Sequence, residues 1–286
     1  MPLQTIKIIE CPRDAMQGLP HFIPTSVKAA YLNQLLKVGF DTLDFGSFVS
    51  PKAIPQMRDT AEVLELLDLK DTPTKLLAIV ANLRGAQEAA SHDPIRYLGY
   101  PFSISETFQL RNTNATIEES LERVEEIQQL CVAQSKELVL YVSMGFGNPY
   151  GDPWNVDIVQ RWVERLSGMG IRIFQLSDTI GVASPGSIAY LFGNLIDQYP
   201  GLEIGAHFHT LPHQWEEKVA AAYAHGCRRF DGAIKGYGGC PMAKDDLTGN
   251  MPTERLLAFF KEKGEPLLLN EAAFHSALEM ASEVFL

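Results

Sequence analysis

Two histidines, His207 and His209, lie two residues apart at the end of an apolar run, LEIGAHFHT (202–210). Successive side chains of a β-strand point to opposite faces, so these two imidazoles share a face. Two imidazoles side by side are the nitrogen ligands that many divalent metals use. Histidines that end a strand can also simply hydrogen-bond to nearby loops, and the pair alone leaves both interpretations open.

Other residues able to do chemistry follow similar apolar runs elsewhere in the chain. They are Arg13 and Asp14 after 5–10, Asp44 and Ser47 within 42–48, Asp178 near the end of 171–179, and Cys240 and Asn250 within 236–250. Asp14 and Asn250 would add oxygen ligands to the two imidazoles. Such a mixed set with open positions suits Mg²⁺ or Mn²⁺, with Zn²⁺ or Co²⁺ as less favoured alternatives.

Eight runs rich in apolar and β-branched residues predict strands. They are 5–10, 42–48, 75–82, 97–105, 138–146, 171–179, 202–210 and 228–236. Segments with helical character follow them, at about 25–38, 56–67, 83–91, 156–168, 184–198, 213–225 and 252–263, and one that begins at Thr116 and carries an apolar face as far as Cys131. Thr116 and Glu119 form a capping-box pattern at the clearest of these starts. A last helix, about 270–284, falls outside the eight units.

This alternation predicts an α/β fold, a (β/α)₈ TIM barrel with an extra C-terminal helix. We expect one domain over 1–286, because no linker-like tract interrupts the chain and such barrels often reach about 250 residues. No GxGxxG follows the first strand and no GxxxxGK[ST] is present, which argues against dinucleotide and P-loop sites. In TIM barrels chemistry lies at the carboxyl ends of the strands, so the candidate residues should converge on one rim.

Composition narrows the partners and the compartment. A net charge of −11 leaves no basic face for nucleic acid or an anionic membrane, so we expect neither as a partner. No apolar run is long enough to span a bilayer, and a strand starting by Thr5 leaves no room for a secretory signal. Four cysteines without a CxxC or a disulfide-framework spacing are typical of reduced thiols. These features predict a cytoplasmic protein.

Five strings occur in order across nearly the whole chain: PRDAMQG (12–18), GSFVSPKAIPQMRD (46–59), SDTIGVASPG (177–186), AHFHT (206–210) and GGCPMAKDDLTGN (238–250). Together they resemble the 3-hydroxy-3-methylglutaryl-CoA lyase family of the DRE-TIM metallolyases, which are metal-dependent (β/α)₈ barrels. The resemblance implies cleavage of 3-hydroxy-3-methylglutaryl-CoA to acetyl-CoA and acetoacetate, a step of leucine degradation and ketone-body formation. It also implies a small acyl-CoA substrate and a homodimer.

The resemblance carries roles to individual positions. It implies metal binding by Asp14, His207, His209 and Asn250. It implies enolate stabilisation by Arg13, proton donation by Cys240, and a catalytic acidic residue at Asp178. Either His207 or Asp178 would be the general base. Lys52 and Arg111 are candidates for contacts with the CoA phosphates.

The sequence departs from the family pattern in three places. Ala15 replaces a turn glycine, so we expect the first loop to follow a somewhat different path. Asp44, which we still expect to be catalytic, replaces a glutamate in the second strand. The stretch from Cys240 to Asn250 is one residue longer than the usual form.

Three alternatives to this lyase activity differ in substrate or in class. The first is a lyase for a related 3-hydroxyacyl-CoA. The second is a barrel synthase that condenses acetyl-CoA with a 2-oxo acid; Cys240 within GGCP argues against it, as does the end at Leu286 without a long regulatory domain. The third is a non-catalytic scaffold, which the joint presence of Arg13, Asp14 and the two histidines disfavours.

Overall fold

Eight parallel strands form a closed barrel in the computed structural model, which describes residues 5–239 and 248–285. They are β1 (Lys7–Glu10), β2 (Thr42–Ser47), β3 (Lys75–Ile79), β4 (Ile95–Ser103), β5 (Glu137–Ser143), β6 (Ile173–Asp178), β7 (Glu203–Thr210) and β8 (Arg229–Gly232). Each strand pairs with the next, and β8 pairs with β1, which closes the sheet. The predicted TIM barrel is therefore confirmed.

Helices surround this barrel. They are α1 (Pro12–Gln17), α2 (Thr25–Leu36), α3 (Thr60–Glu65), α4 (Leu83–Ala90), α5 (Glu106–Thr113), α6 (Ile117–Ala133), α7 (Val156–Gly168), α8 (Pro185–Gln198), α9 (Trp215–Ala224), α10 (Thr253–Glu262) and α11 (Glu271–Val284). The expected capping box is present: Thr116 Oγ1 accepts from Glu119 N, and Glu119 Oε2 accepts from Thr116 N. The segment expected to be one helix over 56–67 divides into a 3₁₀ turn, Pro55–Met57, and α3.

The extra C-terminal helix, α11, packs against the outside of the barrel beside α2. Phe274 meets Phe40 edge to face, and Phe285 meets Tyr31 in the same way, with ring centroids 6.3 and 5.8 Å apart. The backbone joins them too, because Asn270 N donates to Val38 O. None of the described helices is long and apolar enough to cross a membrane.

Strand β7 has the alternation expected from its sequence. Ile204, Ala206 and Phe208 are buried in the core between strands and helices. His207 and His209 lie on the other face, towards the barrel interior, with ring centroids 5.3 Å apart. A short strand, β9 (Gly249–Asn250), pairs antiparallel with the end of β7, and its register places Asn250 opposite His209.

Candidate metal and substrate site

Three ligand groups meet at the carboxyl end of the barrel. One possible ligand atom from each of Asp14, His207 and His209 lies within 4.8 Å of the other two. Asp14 comes from α1, directly after β1, and both histidines come from β7. Residues almost 200 positions apart in the chain are thus brought to one point by barrel closure.

The imidazole of His209 is oriented so that one ring nitrogen is left to bind a metal ion. Its Nδ1 lies 2.8 Å from Thr179 O, and a carbonyl can only accept, so Nδ1 carries the ring proton. Nε2 therefore keeps its lone pair, and this buried atom has no partner among the described residues. Burial and the neighbouring His207 lower the pKa of His209, which favours the neutral imidazole that metals bind.

His207 is oriented by Asp231, whose Oδ2 lies 2.9 Å from His207 Nδ1. Burial lowers the pKa of His207, but the hydrogen bond and charge of Asp231 outweigh it, so the net direction is upward. With Nδ1 engaged, Nε2 is the ring nitrogen left for the site. Both imidazoles thus follow the usual arrangement of metal-bound histidine, in which the other ring nitrogen is held by a carbonyl or carboxylate.

Asp14 is held as a carboxylate by three donors. Arg13 Nη1 and Gln17 Nε2 donate to its Oδ1 at 2.9 and 2.7 Å, and Asn250 Nδ2 donates to its Oδ2 at 2.9 Å. Burial raises its pKa, but the positive charge of Arg13 and its other neighbours outweigh burial and lower the pKa to about 2. Asp14 is therefore ionised at neutral pH, as an oxygen ligand for a cation must be.

Asn250 reaches the site through the pairing of β9 with β7. Its Nδ2 also donates to Tyr237 O at 2.8 Å, which fixes the orientation of the amide because a carbonyl needs a donor. Nδ2 is therefore occupied, and the amide oxygen Oδ1 is the atom of Asn250 that remains to bind a cation.

Arg13 is clamped between two carboxylates. Its Nη2 and Nε donate to Asp44 Oδ2 at 2.6 and 3.1 Å, in the two-pronged arrangement typical of arginine, while Nη1 serves Asp14. Burial raises the pKa of Asp44 to about 6, and the charge of Arg13 partly offsets this rise. Asp44, expected to be catalytic, is thus occupied in holding Arg13.

Asp178 does not face the site. Its Oδ2 accepts from Lys218 Nζ at 2.7 Å and from Ala183 N at 3.1 Å, and its Oδ1 accepts from Val182 N at 2.8 Å. Both side chains of the Asp178–Lys218 pair are essentially inaccessible to solvent. The last residue of β6 thus points away from the cavity, whereas its neighbours Ser177 and Thr179 line it. The catalytic role expected of Asp178 stays a prediction.

A second group of possible ligands, Cys11, His207 and Asp231, also satisfies the 4.8 Å criterion. Asp231 is already bound to His207 Nδ1 and to Gln175 Nε2. Burial and the nearby carboxylates raise the pKa of the Cys11 thiol far above its usual range, so it stays protonated. The group built on Asp14 fits a divalent cation better.

A cavity of about 820 Å³ opens above these groups. Arg13, Asp14, His207 and His209 form part of its wall, and Arg111 and Arg123 provide positive charge elsewhere in it. Lys52, the other expected phosphate contact, lies on an exposed turn and does not line the cavity.

Cys240 lies outside the described residues, but the glycines before it are described. Gly239 lines the cavity, and Gly238 has a φ of +80°. A Cβ on Gly238 would lie 2.7 Å from Asp14 O, so only glycine lets the backbone pass this close to the segment that carries Asp14. Ala15, in place of the expected turn glycine, is accommodated as a buried residue of α1.

Sequence reasoning missed Asp231 and Gln17 as parts of this site. Asp231 lies near the carboxyl end of the observed β8, where barrel chemistry concentrates, but in the first half of the predicted strand 228–236, so the prediction of too long a strand hid this signal. Gln17 follows Asp14 by three residues and so shares its face of a helix; recognising α1 as a helix would have identified it.

Comparison with known proteins identifies the group to which this barrel belongs. The HMGL-like family model matches residues 6–284.

The chain belongs to the HMGL-like family.

Relatives in this family are similar along most of their length. The cytoplasmic 3-hydroxy-3-methylglutaryl-CoA lyase of Mus musculus is 33% identical over 263 residues, which cover 91% of this chain and 75% of the mouse protein. The mitochondrial hydroxymethylglutaryl-CoA lyase of Gallus gallus is 30% identical over 280 residues, 97% of this chain and 89% of the chicken protein. The resemblance found in the sequence motifs is confirmed.

Solved structures of HMG-CoA lyases superpose closely on this barrel. The Bacillus subtilis enzyme gives a TM-score of 0.92 at 30% identity, with 100% of this chain and 95% of that chain covered. The Acinetobacter baumannii enzyme, solved with coenzyme A and 3-methylmalate, gives 0.89 at 30% identity, with 98% and 91% covered.

Proposed function

We propose that this HMGL-like protein is a divalent-metal-dependent carbon–carbon lyase that cleaves 3-hydroxy-3-methylglutaryl-CoA to acetyl-CoA and acetoacetate. The observation that carries the proposal is the joint arrangement of three metal-ligand groups and a fixed arginine in the wall of one cavity. The names of the relatives support the substrate, and the coenzyme A in the A. baumannii structure supports an acyl-CoA.

Asp14, His207, His209 and Asn250 would hold the cation, for which we propose Mg²⁺ or Mn²⁺ because half of the set is oxygen. When bound, the cation supplies a Lewis acid that lowers the pKa of the substrate's tertiary hydroxyl. The unpartnered Nε2 of His209 and the ionised Asp14 support this assignment.

Arg13 provides the permanent positive charge for the developing enolate oxygen. Asp44 orients it by accepting hydrogen bonds from its Nε and Nη2, so that the guanidinium needs little reorganisation when charge develops. Of the two expected general bases, His207 lines the cavity whereas Asp178 is sequestered by Lys218. The one ring nitrogen of His207 that is left for the site cannot both bind the cation and accept the hydroxyl proton. We propose that it binds the cation, so that neither expected residue is the general base.

Arg111 and Arg123 lie where they could receive the phosphates of the CoA moiety. Arg111 stacks over Tyr150, with its guanidinium carbon 4.7 Å from the ring centroid, and Arg123 Nη1 donates to Thr113 O. Both line the cavity that contains the ligand groups.

Cys240 is proposed as the acid that protonates the enolate of acetyl-CoA; the residue before it in the sequence, Gly239, lines the cavity. Replacing Cys240→Ser should lower kcat by about 100-fold or more while metal content stays unchanged, because a hydroxyl is a much weaker acid than a thiol. A serine variant with wild-type kcat would remove Cys240 from the mechanism.

The decisive experiment is an assay of the purified protein with 3-hydroxy-3-methylglutaryl-CoA and a small panel of related 3-hydroxyacyl-CoA thioesters. We expect acetyl-CoA and acetoacetate without any added 2-oxo acid, loss of turnover on chelation, and recovery with Mg²⁺ or Mn²⁺. Condensation of acetyl-CoA with a 2-oxo acid, with no cleavage of any thioester, would replace the lyase with a synthase. Full activity in metal-free protein would show that the reaction does not need the cation.

For the protein as a whole we propose a homodimer of single-domain barrels over 1–286 that serves leucine degradation in the cytoplasm. Cytoplasmic names among the relatives support this location, and the mitochondrial names of others make organelle fractionation the appropriate test. Size-exclusion chromatography with light scattering tests the dimer.

A further inference from the structure

A buried polar chain lies beneath His207 and does not line the cavity. Asp231 on β8 accepts from Gln175 Nε2 through Oδ1 and contacts His207 Nδ1 through Oδ2 at 2.9 Å. The side chain of Asp231 is 2% exposed and that of Gln175 is fully buried. Neither can reach substrate, so any role in the reaction acts through His207.

The chain fixes which nitrogen of His207 carries the proton. Carboxylate oxygens accept hydrogen bonds, and Asp231 Oδ2 lies 2.9 Å from Nδ1, so Nδ1 is the nitrogen that carries the proton and Nε2 keeps its lone pair. Without an acceptor at Nδ1, a neutral imidazole is free to place its proton on Nε2 and so cannot bind a cation there.

The neighbouring strand is shaped to admit this arrangement. Gly205 lies two residues before His207 on the same face of β7, and a Cβ there would overlap Gln175 Oε1. Gln175 thus occupies the space that a side chain at position 205 would fill, and its amide is directed at Asp231. The glycine within LEIGAHFHT is accounted for by this packing.

We propose that Asp231, supported by Gln175, is a positioning residue that presents Nε2 of His207 to the cation. This rests on the metal centre of the proposed function. Because carboxylate and amide support of a metal-bound histidine commonly accounts for a 10- to 100-fold change in metal affinity, loss of Asp231 should weaken Mn²⁺ binding by roughly that factor.

The first measurement needs no variant. In metal-free protein with ¹⁵N-labelled histidine, at a pH where the imidazoles are neutral, nitrogen shifts should report a protonated Nδ1 and an unprotonated Nε2 for His207. The His207 signals are assigned by their loss in His207→Gln. A proton on Nε2 would overturn the proposal, and this outcome is independent of whether the protein is a lyase.

The second measurement uses Asp231→Leu, which removes every acceptor at Nδ1. We expect Nε2 to become protonated and the dissociation constant for Mn²⁺, measured by calorimetry without substrate, to rise roughly 10- to 100-fold. Asp231→Asn keeps a possible amide acceptor if its oxygen faces His207, and should retain more affinity than Asp231→Leu.

Asp41→Leu is the matched control, because Asp41 is another paired carboxylate but bonds Lys75, away from the cavity. It should leave the His207 tautomer and Mn²⁺ affinity unchanged. A folded Asp231→Leu protein with the wild-type tautomer and affinity would overturn the proposal. A loss of affinity equal in Asp41→Leu would also overturn it, since the effect would then be general destabilisation.

Discussion

Arg13 has two roles that a single substitution cannot separate. It faces the cavity, and it neutralises two buried carboxylates, Asp14 and Asp44. Removing one partner of a buried ion pair leaves an uncompensated charge, which typically costs about 3–5 kcal/mol of stability.

We therefore expect Arg13→Met to lower both kcat and the free energy of unfolding. Adding Asp44→Asn should recover much of the lost stability, because the unpaired charge is removed, while kcat stays low. Urea unfolding and steady-state kinetics on both variants check this. If the double variant regained wild-type kcat, Arg13 would be structural only.

At the scale of single residues, the sequence predicted the groups that one strand presents but not the bonds across the barrel. His207 and His209 follow from the two-residue period of a strand. Asp231 does not, because its contact with His207 depends on the stagger between β7 and β8, which no local pattern encodes.

The turn after β6 is held in place by a buried ion pair that also reaches β7. Lys218 on α9 bonds Asp178, and its Nζ donates to His209 O at 3.0 Å and to Gly181 O at 3.1 Å. Thr179 O in the same turn accepts from His209 Nδ1. The pair thus fixes the backbone on both sides of a candidate ligand.

Replacing Lys218→Met should destabilise the fold by about 3–5 kcal/mol, since Asp178 is left buried without its partner. Mn²⁺ affinity should fall as well, because the His209 backbone loses its anchor. Lys261→Met is the control: Lys261 and Glu271 form an exposed pair, which should contribute nothing measurable. Thermal unfolding and calorimetry compare the two. Equal effects would show that Lys218 has no special anchoring role.

At the scale of elements, long periodic segments were predicted well and short ones were not. The eight strands and the long helices have strong patterns, and their positions are confirmed within a few residues. α1 has six residues, too few for a periodic signal, although Pro12 at its first turn was a usable sign. The helix expected over 56–67 was interrupted because Pro55 starts a tighter turn first.

The stability of the whole molecule should depend on pH through Glu10, a carboxyl buried between β1 and α10. Its side chain accepts from Ile234 N and Thr253 Oγ1. Burial raises its pKa from the ordinary value of 4.5 to about 8, against the effect of these two hydrogen bonds. Between those values the folded protein holds a proton that the unfolded chain releases.

Glu10 should therefore stabilise the fold fully below about pH 4.5, and this contribution should be lost as pH rises towards 8. Glu10→Gln should remove that dependence and be more stable than wild type above pH 8.

Glu203 should give the opposite pH dependence. Despite burial, Arg229 and Lys7 lower the pKa of Glu203, so the stability that it contributes is present at neutral pH and lost in acid, and Glu203→Gln should remove it. Urea unfolding over a pH series measures both, and parallel profiles would contradict this account.

At the scale of the whole molecule, the closure of the sheet into a barrel could be predicted from the number of repeats. Eight repeats of strand and helix leave a parallel sheet with two edges that can satisfy each other, and the pairing of β8 with β1 is the result. Asp178 was expected on the rim with the other candidates because it ends its strand, but successive side chains of a strand alternate in direction, and it is Ser177 that lines the cavity.

Pairing of β9 with β7 lets the sequence before Asn250 vary while this residue keeps its place beside His209. Asn250 is positioned by the antiparallel pairing of β9 with β7, which places it opposite His209. Its position therefore does not depend on how many residues precede β9. Insertions or deletions between Gly239 and Thr248 can then accumulate in evolution while Asn250 stays in register with His209. The extra residue expected in this stretch is the kind of change that such an arrangement tolerates.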